Sequence, residues 1–297
     1  MRSILELLTR GSAFLRSKNI ERPKCDAEWL FAHVLGCSRL ELYLKYQMTV
    51  DPQAEARLRV LFVRRAKREP LQYILGQVDF CGVKLFVDVR VLIPRHETEM
   101  LVEWLIDNIN QCYKKIGCKD HEKMNHSPLS ILDLGTGSGA IAIALGKYFP
   151  ESQVYAVDKS PLALAVAREN KQRNGVNNVH ILESDWYSAF GEERWSNKFD
   201  VIVANPPYLT RQEFDAAQEE VRKYEPISAL VADDEGLSDI EIILSSAPKF
   251  LKTNGIIAIE TGILHSQKLQ ERYGKYFRRT EIMQDLNKFD RFFIAYR

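Results

Sequence analysis

The sequence has no long apolar run, and no segment approaches the roughly 18 consecutive apolar residues that a membrane-spanning helix needs. The first residues contain no apolar signal-peptide core either. Arg2, Arg10 and Arg16 are spaced as in a transit peptide, but Glu6 and the unbroken continuation into further helices indicate a folded first helix instead. We therefore expect no membrane partner and a cytoplasmic location.

Cysteine is scarce, with five among 297 residues, and no Cys-x-x-Cys pair occurs. An odd, scattered set of cysteines is typical of a reducing compartment. Cys112 and Cys118 share a polar stretch with His121 and His126, which together could be considered as zinc ligands. Their spacing matches no common ligand pattern, so the preferred interpretation is a solvated surface insertion, and we expect no metal.

The sequence also lacks a large excess of charge of either sign, because its formal net charge is only +1. The distribution is uneven, however. Residues 1–75 carry 14 Lys or Arg and 8 Asp or Glu, a balance of +6, whereas the rest of the chain has a balance of −5. The densest basic patch, residues 64–68, is interpreted as a solvated helix face. The first region could meet an acidic or phosphate-bearing surface, but its charge is too small to predict stable nucleic-acid binding.

The chain is predicted to have three parts. Residues 1–75 form a bundle of amphipathic helices, and residues 76–95 form a linking β-hairpin around Cys81-Gly82. Residues 96–297 alternate helices with near-continuous apolar strands, which predicts an α/β domain with a parallel sheet covered on both faces. The predicted helices are 2–18, 23–36, 38–47, 51–68, 98–112, 139–149, 160–174 and 236–250. The predicted strands are 78–80, 83–87, 130–134, 153–157, 179–182, 199–204, 255–260, 277–284 and 290–296. The predicted core of the bundle is Leu5, Leu8, Phe14, Trp29, Leu30, Leu35, Leu58 and Leu61.

A glycine-rich turn follows the first strand of this alternating region. The strand 130–134 runs into Gly135-Thr136-Gly137-Ser138-Gly139, and a helix follows. The next apolar run ends in Asp158, close to the ~20-residue offset at which an acidic residue meets ribose hydroxyls. The alternative is a turn that serves only helix–strand packing. This pattern suits a nicotinamide dinucleotide as well as S-adenosylmethionine, so it does not separate the two cofactors.

The segment Asn205-Pro206-Pro207-Tyr208 follows the apolar run 201–204. Asn205 offers a carboxamide oxygen to a substrate N–H, and Tyr208 offers a flat face for stacking. The two prolines stiffen the turn and leave its carbonyls free to accept hydrogen bonds. A plain tight loop at a strand end is the structural alternative. Hydride transfer has no use for such a turn, whereas methylation of an amide or exocyclic amine does.

At these residues the sequence resembles the class I S-adenosylmethionine-dependent methyltransferases, and more closely the bacterial and organellar release factor glutamine methyltransferases. The resemblance covers nearly the whole chain. Lys288 stands where that family has glycine in an Asp-x-x-Gly-x-Asp-Arg motif. Further matching segments are Leu71 to Gly76, Phe80 to Val89, Ile93 to Glu99, Asp185-Trp186, Tyr224-Glu225-Pro226, Ala229-Leu230, Glu260-Thr261-Gly262 and Asp285 to Arg291. The resemblance implies a seven-stranded Rossmann-like methyltransferase sheet preceded by the helical bundle and the hairpin.

The resemblance also implies a reaction and its residues. The cofactor would be S-adenosylmethionine, and the acceptor would be the glutamine amide in the Gly-Gly-Gln motif of class-1 peptide chain release factors, which act in translation termination. The enzyme is expected to be a monomer. Implied catalytic residues are Asn205, Pro206 and Tyr208. Implied cofactor contacts are Asp133, Gly135, Thr136, Gly137, Ser138, Gly139, Asp158, Asp185, Trp186 and Asn205. Implied substrate contacts are Asn205, Pro206, Pro207, Tyr208, Arg95, Glu97 and Thr98.

Three alternatives remain open from the residues. Asn-Pro-Pro-Tyr also suits an adenine N6-methyltransferase acting on DNA or RNA, which would need a basic cleft. The region is instead acidic, with Glu213, Asp215, Glu219, Glu220 and Glu225. A non-catalytic S-adenosylmethionine-binding module would require the Asn-Pro-Pro-Tyr side chains to face away from the cofactor. Asp133 and Asp185 could also simply cap adjacent backbone N–H groups.

Overall fold

The computed structural model of the protein describes residues 2–115 and 128–297, with side chains up to residue 111 in the first range. The set Cys112, Cys118, His121 and His126 lies outside the described side chains. The helices are α1 Ile4–Ser17, α2 Pro23–Leu35, α3 Arg39–Leu44, α4 Pro52–Ala66, α5 Leu71–Leu75, α6 His96–Lys115, α7 Ala140–Tyr148, α8 Pro161–Arg173, α9 Glu192–Trp195, α10 Arg211–Ala216, α11 Glu219–Tyr224, α12 Asp233–Gly236, α13 Ser238–Phe250 and α14 His265–Tyr273. The strands are β1 Val78–Phe80, β2 Val83–Leu85, β3 Ser130–Leu134, β4 Gln153–Asp158, β5 Val179–Glu183, β6 Phe199–Ala204, β7 Leu251–Glu260, β8 Arg279–Gln284 and β9 Asp290–Tyr296.

Packing divides the described residues into two compact units. The first contains the chain up to Gln77 together with Ala217–Tyr224, and the second contains Val78–Ala216 and Glu225–Arg297. The segment 217–224 thus packs with the N-terminal helices, although the sequence placed it in the α/β part. Because α11 is short and polar, its own pattern contained no signal of that packing.

The first unit is a helical bundle built by α1 to α5 and α11. Ser3 and Asp51 cap α1 and α4 by accepting backbone N–H groups, and Gly36 ends α2 in a left-handed conformation. The predicted core is correct for Leu8, Leu30 and Leu58, which are buried. It is wrong for three aromatic or aliphatic side chains that lie off the buried stripes and are more than a third exposed: Leu5, Phe14 and Trp29.

The basic patch 64–68 does not form a simple solvated face, because Arg65 is buried. Its Nε donates to Asp26 Oδ2 at 2.7 Å, and its Nη1 donates to Glu220 Oε1 at 3.1 Å. Arg68 donates to the same Glu220 oxygen at 3.2 Å. A guanidinium out of water requires such partners. The acidic surface that the sequence suggested for this patch is therefore partly supplied by α11 of the same chain.

The second unit contains a seven-stranded sheet in the order β5-β4-β3-β6-β7-β9-β8, which confirms the predicted α/β fold class. The first five strands of this order are parallel, and β9 runs antiparallel to both β7 and β8. All five residues of β3 are buried, as expected for a central strand covered by helices on both faces. The carboxyl ends of β3, β4, β5 and β6 therefore meet along one edge.

Five strand boundaries differ from the prediction. β4 and β5 each extend one residue further, and β8 begins at Arg279 rather than 277. The other two, in β7 and β2, have a visible local reason. β7 begins at Leu251 rather than 255, because the turn-like Asn254-Gly255 is accommodated as an irregularity between Phe199 and Val201 of the pairing strand. β2 ends at Leu85 rather than 87, because the side chain of Asn170 pairs with the backbone of Phe86 instead. Its Oδ1 accepts from Phe86 N at 2.6 Å, and its Nδ2 donates to Phe86 O at 2.9 Å.

The predicted hairpin is confirmed as β1 paired antiparallel with β2. Cys81 and Gly82 both have positive φ, 42° and 74°, as a tight primed turn demands. Within the described ranges, no helix is long and apolar enough to cross a membrane. The same ranges contain no group of three or more His, Cys, Asp or Glu side chains arranged to hold a metal ion.

The structure explains the position of Lys288. This residue has a left-handed φ of 63° in the turn before β9, where its N–H donates to Asp285 O at 2.9 Å. The lysine therefore occupies a conformation that favours glycine, which is the residue that the resembled family has at this position.

We expect Lys288→Gly to raise the free energy of unfolding by about 0.5–1 kcal/mol. Relief of the left-handed strain should exceed the added entropy of the unfolded chain. Urea denaturation measures the change. Lys171→Gly in α8 is the matched control, and it should lower the free energy by up to about 1 kcal/mol. Equal losses in the two variants would contradict the conformational argument.

Candidate active site

A cavity of about 290 Å³ lies at the carboxyl ends of the parallel strands. This is the edge at which open α/β sheets bind ligands. Seven of the predicted site residues line it: Gly135, Gly137, Asp158, Asp185, Trp186, Asn205 and Pro207. The lining residues that the sequence analysis did not single out for the site are Val89, Arg90, Val91, Leu92, Lys159, Ser160, Leu162, Ala163, Ser184, Pro226, Ser228 and Ala229.

The three glycines of the turn after β3 all have positive φ, between 54° and 82°, but they serve different needs. A Cβ at Gly139 would lie 2.9 Å from Ile143 Cδ1, so this glycine lets α7 pack closely. A Cβ at Gly137 would meet no described atom within 4 Å, and this glycine lines the cavity. Gly137 therefore leaves room for a ligand against the backbone, which is the feature expected of a cofactor-binding turn.

Asp133 lies beneath the glycine turn and does not line the cavity. Its Oδ2 accepts hydrogen bonds from Thr136 Oγ1 at 2.6 Å and from Ala142 N at 3.2 Å. Its Oδ1 has no hydrogen-bond partner among the described residues. Burial raises the pKa of Asp133 to about 7. The geometry supports the capping role for this residue. Thr136, Ser138 and Gly139 likewise lie outside the cavity lining.

Asp158 ends β4 and faces the cavity. Its Oδ2 accepts from Gly137 N and its Oδ1 accepts from Ser160 N, both at 2.9 Å. Burial raises the pKa of this carboxyl group, and the backbone hydrogen bonds oppose that shift. Since each carboxylate oxygen has a further lone pair, Asp158 can also accept from ligand hydroxyl groups.

Trp186 covers the start of the glycine turn. A Cβ at Gly135 would lie 3.3 Å from the Trp186 ring, so glycine is needed where the indole approaches the backbone. The indole Nε1 donates to Asp239 Oδ1 at 3.1 Å, which fixes the ring in place. Asp185 lines the same wall, and its backbone N–H donates to Ser188 Oγ at 3.0 Å. Together these residues give the cavity one rigid aromatic wall.

Asn205 and Pro207 line the cavity, while Pro206 is buried and Tyr208 lies behind the wall. The Asn205 Nδ2 donates to Thr98 Oγ1 at 3.0 Å. Thr98 Oγ1 in turn donates to Glu260 Oε2 at 2.6 Å, and Tyr208 OH donates to Glu260 Oε1 at 3.0 Å. These four side chains form one hydrogen-bonded network.

Glu260 had no assigned role in the sequence analysis, yet it is 1% exposed and anchors two of the predicted site residues. Burial raises the pKa of Glu260, while hydrogen bonds from Thr98 and Tyr208 and the charge of Arg291 oppose that shift. The sequence signal was a carboxylate directly after the apolar run 256–259 of a central strand. A buried acid at such a position needs donors, and these are usually functional neighbours.

Arg95 and Glu97 do not line the cavity. Arg95 Nη2 donates to Glu225 Oε1 at 2.7 Å, and Glu225 Oε2 accepts from Ile93 N at 3.3 Å. Glu225 was part of the family resemblance without a stated role. Since its side chain is only 2% exposed, the ion pair holds the segment before α6 in place. Glu97 is half-buried in the first turn of α6.

Two family models match the chain. Residues 6–76 match the family described as "PrmC N-terminal domain", and residues 125–289 match "Methyltransferase domain". The sheet order, the glycine turn and this match define the class of the protein as a Rossmann-like methyltransferase.

Relatives whose sequences match most of the chain identify the family within this class. A release factor glutamine methyltransferase of Geobacter sulfurreducens is 40% identical over 86% of this chain and 82% of the relative. That of Escherichia coli is 35% identical over 85% of this chain and 84% of the relative. The human "MTRF1L release factor glutamine methyltransferase" is 35% identical over 95% of this chain and 84% of the relative. The chain belongs to the release factor glutamine methyltransferase family.

Solved structures of lower identity share the fold. The hMettl16 catalytic domain in complex with MAT2A 3'UTR hairpin 6 has a TM-score of 0.55 at 16% identity, covering 79% of this chain and 81% of that chain. The T. thermophilus 16S rRNA N2 G1207 methyltransferase (RsmC), in complex with AdoMet and guanosine, has a TM-score of 0.50 at 15% identity, covering 74% and 49%. At such identities the similarity concerns the fold alone.

The raised pKa of Asp133 makes a prediction about stability. Its ordinary value is 3.8 and its folded value is about 7, so the folded state holds one more proton between these pH values. The free energy of unfolding should therefore fall as pH rises, by about 1.4 kcal/mol per pH unit from this group. In Asp133→Asn this contribution should be missing.

Urea denaturation of both proteins at pH 5, 6 and 8 checks this. The stability of Asp133→Asn relative to the unsubstituted protein should increase from pH 5 to pH 6 and level off above 7. Parallel pH profiles for the two proteins would show that Asp133 is ionised in the folded state throughout.

Proposed function

We propose that the protein transfers a methyl group from S-adenosylmethionine to the side-chain amide nitrogen of the glutamine in the Gly-Gly-Gln motif of class-1 peptide chain release factors. This modification would support translation termination. One observation carries the proposal: Asn205 and Pro207 line the same cavity as Gly137 and Asp158. An amide-recognition turn and a nucleotide-type turn thus line one cavity. The names of the relatives supply the class of acceptor.

The lining residues suit S-adenosylmethionine. Asp158 offers carboxylate lone pairs to ribose hydroxyls, and Gly137 leaves the backbone open to a ligand. Trp186 supplies an aromatic wall next to the turn. When bound, the cofactor supplies an electrophilic methyl group on a sulfonium. Asp133 lies too deep for a role in the cavity lining, so we propose that it supports the turn rather than the cofactor.

The acceptor amide would be held by Asn205 and Pro206. An amide nitrogen is a poor nucleophile, because its lone pair is delocalised into the carbonyl. The Asn205 side-chain oxygen and the Pro206 carbonyl can each accept one N–H of the glutamine. These acceptors favour the positive charge that develops on nitrogen during transfer. Holding the two reactants in line supplies the proximity contribution, worth roughly 7–11 kcal/mol at best.

The reaction does not require a strong general base, since the proton can leave after methyl transfer. His96 fits no such role, because its side chain is 94% exposed. Tyr208 contributes through a fixed ring, because its hydroxyl is tied to Glu260. Burial and the Glu260 charge both raise the pKa of Tyr208, so the phenol stays neutral at physiological pH.

The alternatives are less well supported. An adenine N6-methyltransferase would need positive charge near the turn, whereas α10, which follows the turn in the chain, carries Glu213 and Asp215. A non-catalytic module would have Asn205 directed away from the cavity, whereas Asn205 lines it. We further propose that the enzyme acts as a monomer in the cytoplasm, without stable nucleic-acid binding. The scattered cysteines and the balanced charge support this part.

We expect Asp158→Ala to weaken S-adenosylmethionine binding by about 1.5–3 kcal/mol, because charge-assisted hydrogen bonds are lost. Calorimetric titration measures the dissociation constant. Asp158→Asn, which keeps an acceptor of similar shape, should lose less. Asp79→Ala, at an exposed position of β1, is the control and should bind normally. Unchanged affinity in Asp158→Ala would remove Asp158 from the cofactor site.

Asn205→Ala should slow methyl transfer while leaving cofactor affinity nearly intact. Removing the acceptor leaves one N–H of the bound glutamine amide unpaired, at a cost of about 1–3 kcal/mol, or roughly 5- to 150-fold in rate. Asn205→Asp should also be slow, because its added charge beside the sulfonium stabilises the ground state.

Single-turnover kinetics with saturating cofactor and intact release factor test both variants, with mass spectrometry of the Gly-Gly-Gln peptide as the readout. Titration calorimetry controls for cofactor binding. Near-normal transfer by Asn205→Ala would mean that the turn is structural. An absence of methylation by the unsubstituted protein would refute the proposed acceptor.

A further inference from the structure

Thr98 and Glu260 lie directly behind the part of the cavity wall formed by Asn205. Thr98 is 4% exposed and Glu260 is 1% exposed, and neither lines the cavity. A ligand in the cavity therefore has no direct access to them. The proposed reaction does not use either side chain, so their burial as polar groups needs another explanation.

The chemistry of the donors and acceptors provides one. An ionised carboxylate can only accept hydrogen bonds, and a hydroxyl group has a single proton to donate. Burial raises the pKa of Glu260, but the two hydroxyl groups that donate to it and the positive charge of Arg291 oppose that shift and stabilise the carboxylate form, which is the form the geometry of two hydroxyl donors suits. The hydroxyl group of Thr98 therefore donates its only proton to Glu260, and Thr98 Oγ1 lies 2.6 Å from Glu260 Oε2.

The orientation of the Asn205 carboxamide follows from this. Once the Thr98 proton is directed at Glu260, Thr98 Oγ1 can only accept from Asn205. The Asn205 atom at 3.0 Å from it must then be Nδ2, the amide donor, rather than Oδ1. Oδ1 is consequently the atom available to a ligand. A rotation of the carboxamide by 180° would place its N–H groups against the N–H groups of a substrate amide.

We propose that Thr98 and Glu260 are positioning residues, whose hydrogen bonds hold the Asn205 carboxamide with its oxygen toward the glutamine amide of the substrate. The inference rests on the proposed function and deepens it. Through Tyr208 OH, at 3.0 Å from Glu260 Oε1, the same carboxylate also holds the other end of the Asn-Pro-Pro-Tyr turn. The Glu260 side chain thus holds Asn205, through Thr98, and Tyr208, through its hydroxyl group, at the two ends of the turn.

The first test observes Asn205 in the protein without cofactor or substrate. Its side-chain amide signals in a ¹⁵N correlation spectrum are identified by their loss in Asn205→Asp. Thr98→Val removes the hydroxyl group at nearly constant volume, and it should shift these signals and speed their hydrogen exchange. Thr98→Ser should restore both properties. Tyr208→Phe, which leaves the Thr98 contact in place, should change neither. Unaltered Asn205 signals in Thr98→Val would overturn the proposal.

The second test is a double-mutant cycle in single-turnover methyl transfer. Thr98→Val should be slower on the order of 10- to 100-fold, because the acceptor is no longer held in one orientation. Thr98→Ser should recover to within about threefold of the unsubstituted rate. If Thr98 acts through Asn205, adding Thr98→Val to Asn205→Ala should slow transfer by less than about threefold more. If the double variant is slowed by the product of the two single-variant factors, Thr98 acts independently of Asn205, and the proposal is overturned.

Thermal melting of each variant shows whether it is folded at the assay temperature. If Thr98→Val proves unfolded, Thr98→Ala takes its place in both tests, and Thr98→Ser remains the variant that should restore both properties. The spectroscopic test needs no methyl transfer, so it decides the orientation of Asn205 even if the release factor proves to be the wrong acceptor. Conversely, normal methylation with an unanchored Asn205 would refute this inference alone.

Discussion

The candidate active site depends first on two aspartate side chains that hold the glycine turn after β3. Asp133 accepts from the Thr136 hydroxyl and Ala142 N from below, and Asp158 accepts from Gly137 N across the neighbouring strand. These bonds satisfy N–H groups and a hydroxyl that a left-handed turn would otherwise leave unpaired. The backbone can therefore remain open at Gly137 without collapsing onto the cavity.

The parallel sheet was predictable because its strands carry their own signal. β3, β4 and β6 are apolar along nearly their whole length, so burial on both faces follows directly from the sequence. The short polar helix α11 has no comparable pattern, and its packing depends on partners that are distant in the sequence. The pairing of Glu220 with Arg65 joins residues 155 positions apart, which no local pattern could reveal.

The same distinction applies to the site. Glycines, Asp158 and the Asn-Pro-Pro-Tyr turn were found because each is a residue type whose chemistry suggests a ligand at that position. Glu260 and Glu225 act on other side chains rather than on a ligand, so their roles emerge only from geometry. The sequence also could not predict how deeply each site residue is buried. Asp133 and Gly137 are four residues apart, yet Asp133 lies under the turn and Gly137 lines the cavity.

The packing of residues 217–224 with the N-terminal helices has a consequence for synthesis on the ribosome. The first unit begins at the N-terminus, but it cannot be completed when its own helices have emerged. Arg65 must wait for Glu220, which follows 155 residues later. At a translation rate of about 5–20 residues per second, the interval is roughly 8–31 s. During that time the guanidinium has Asp26 as a partner but lacks its second carboxylate. The N-terminal unit is thus incomplete until residues 217–224 have been synthesised.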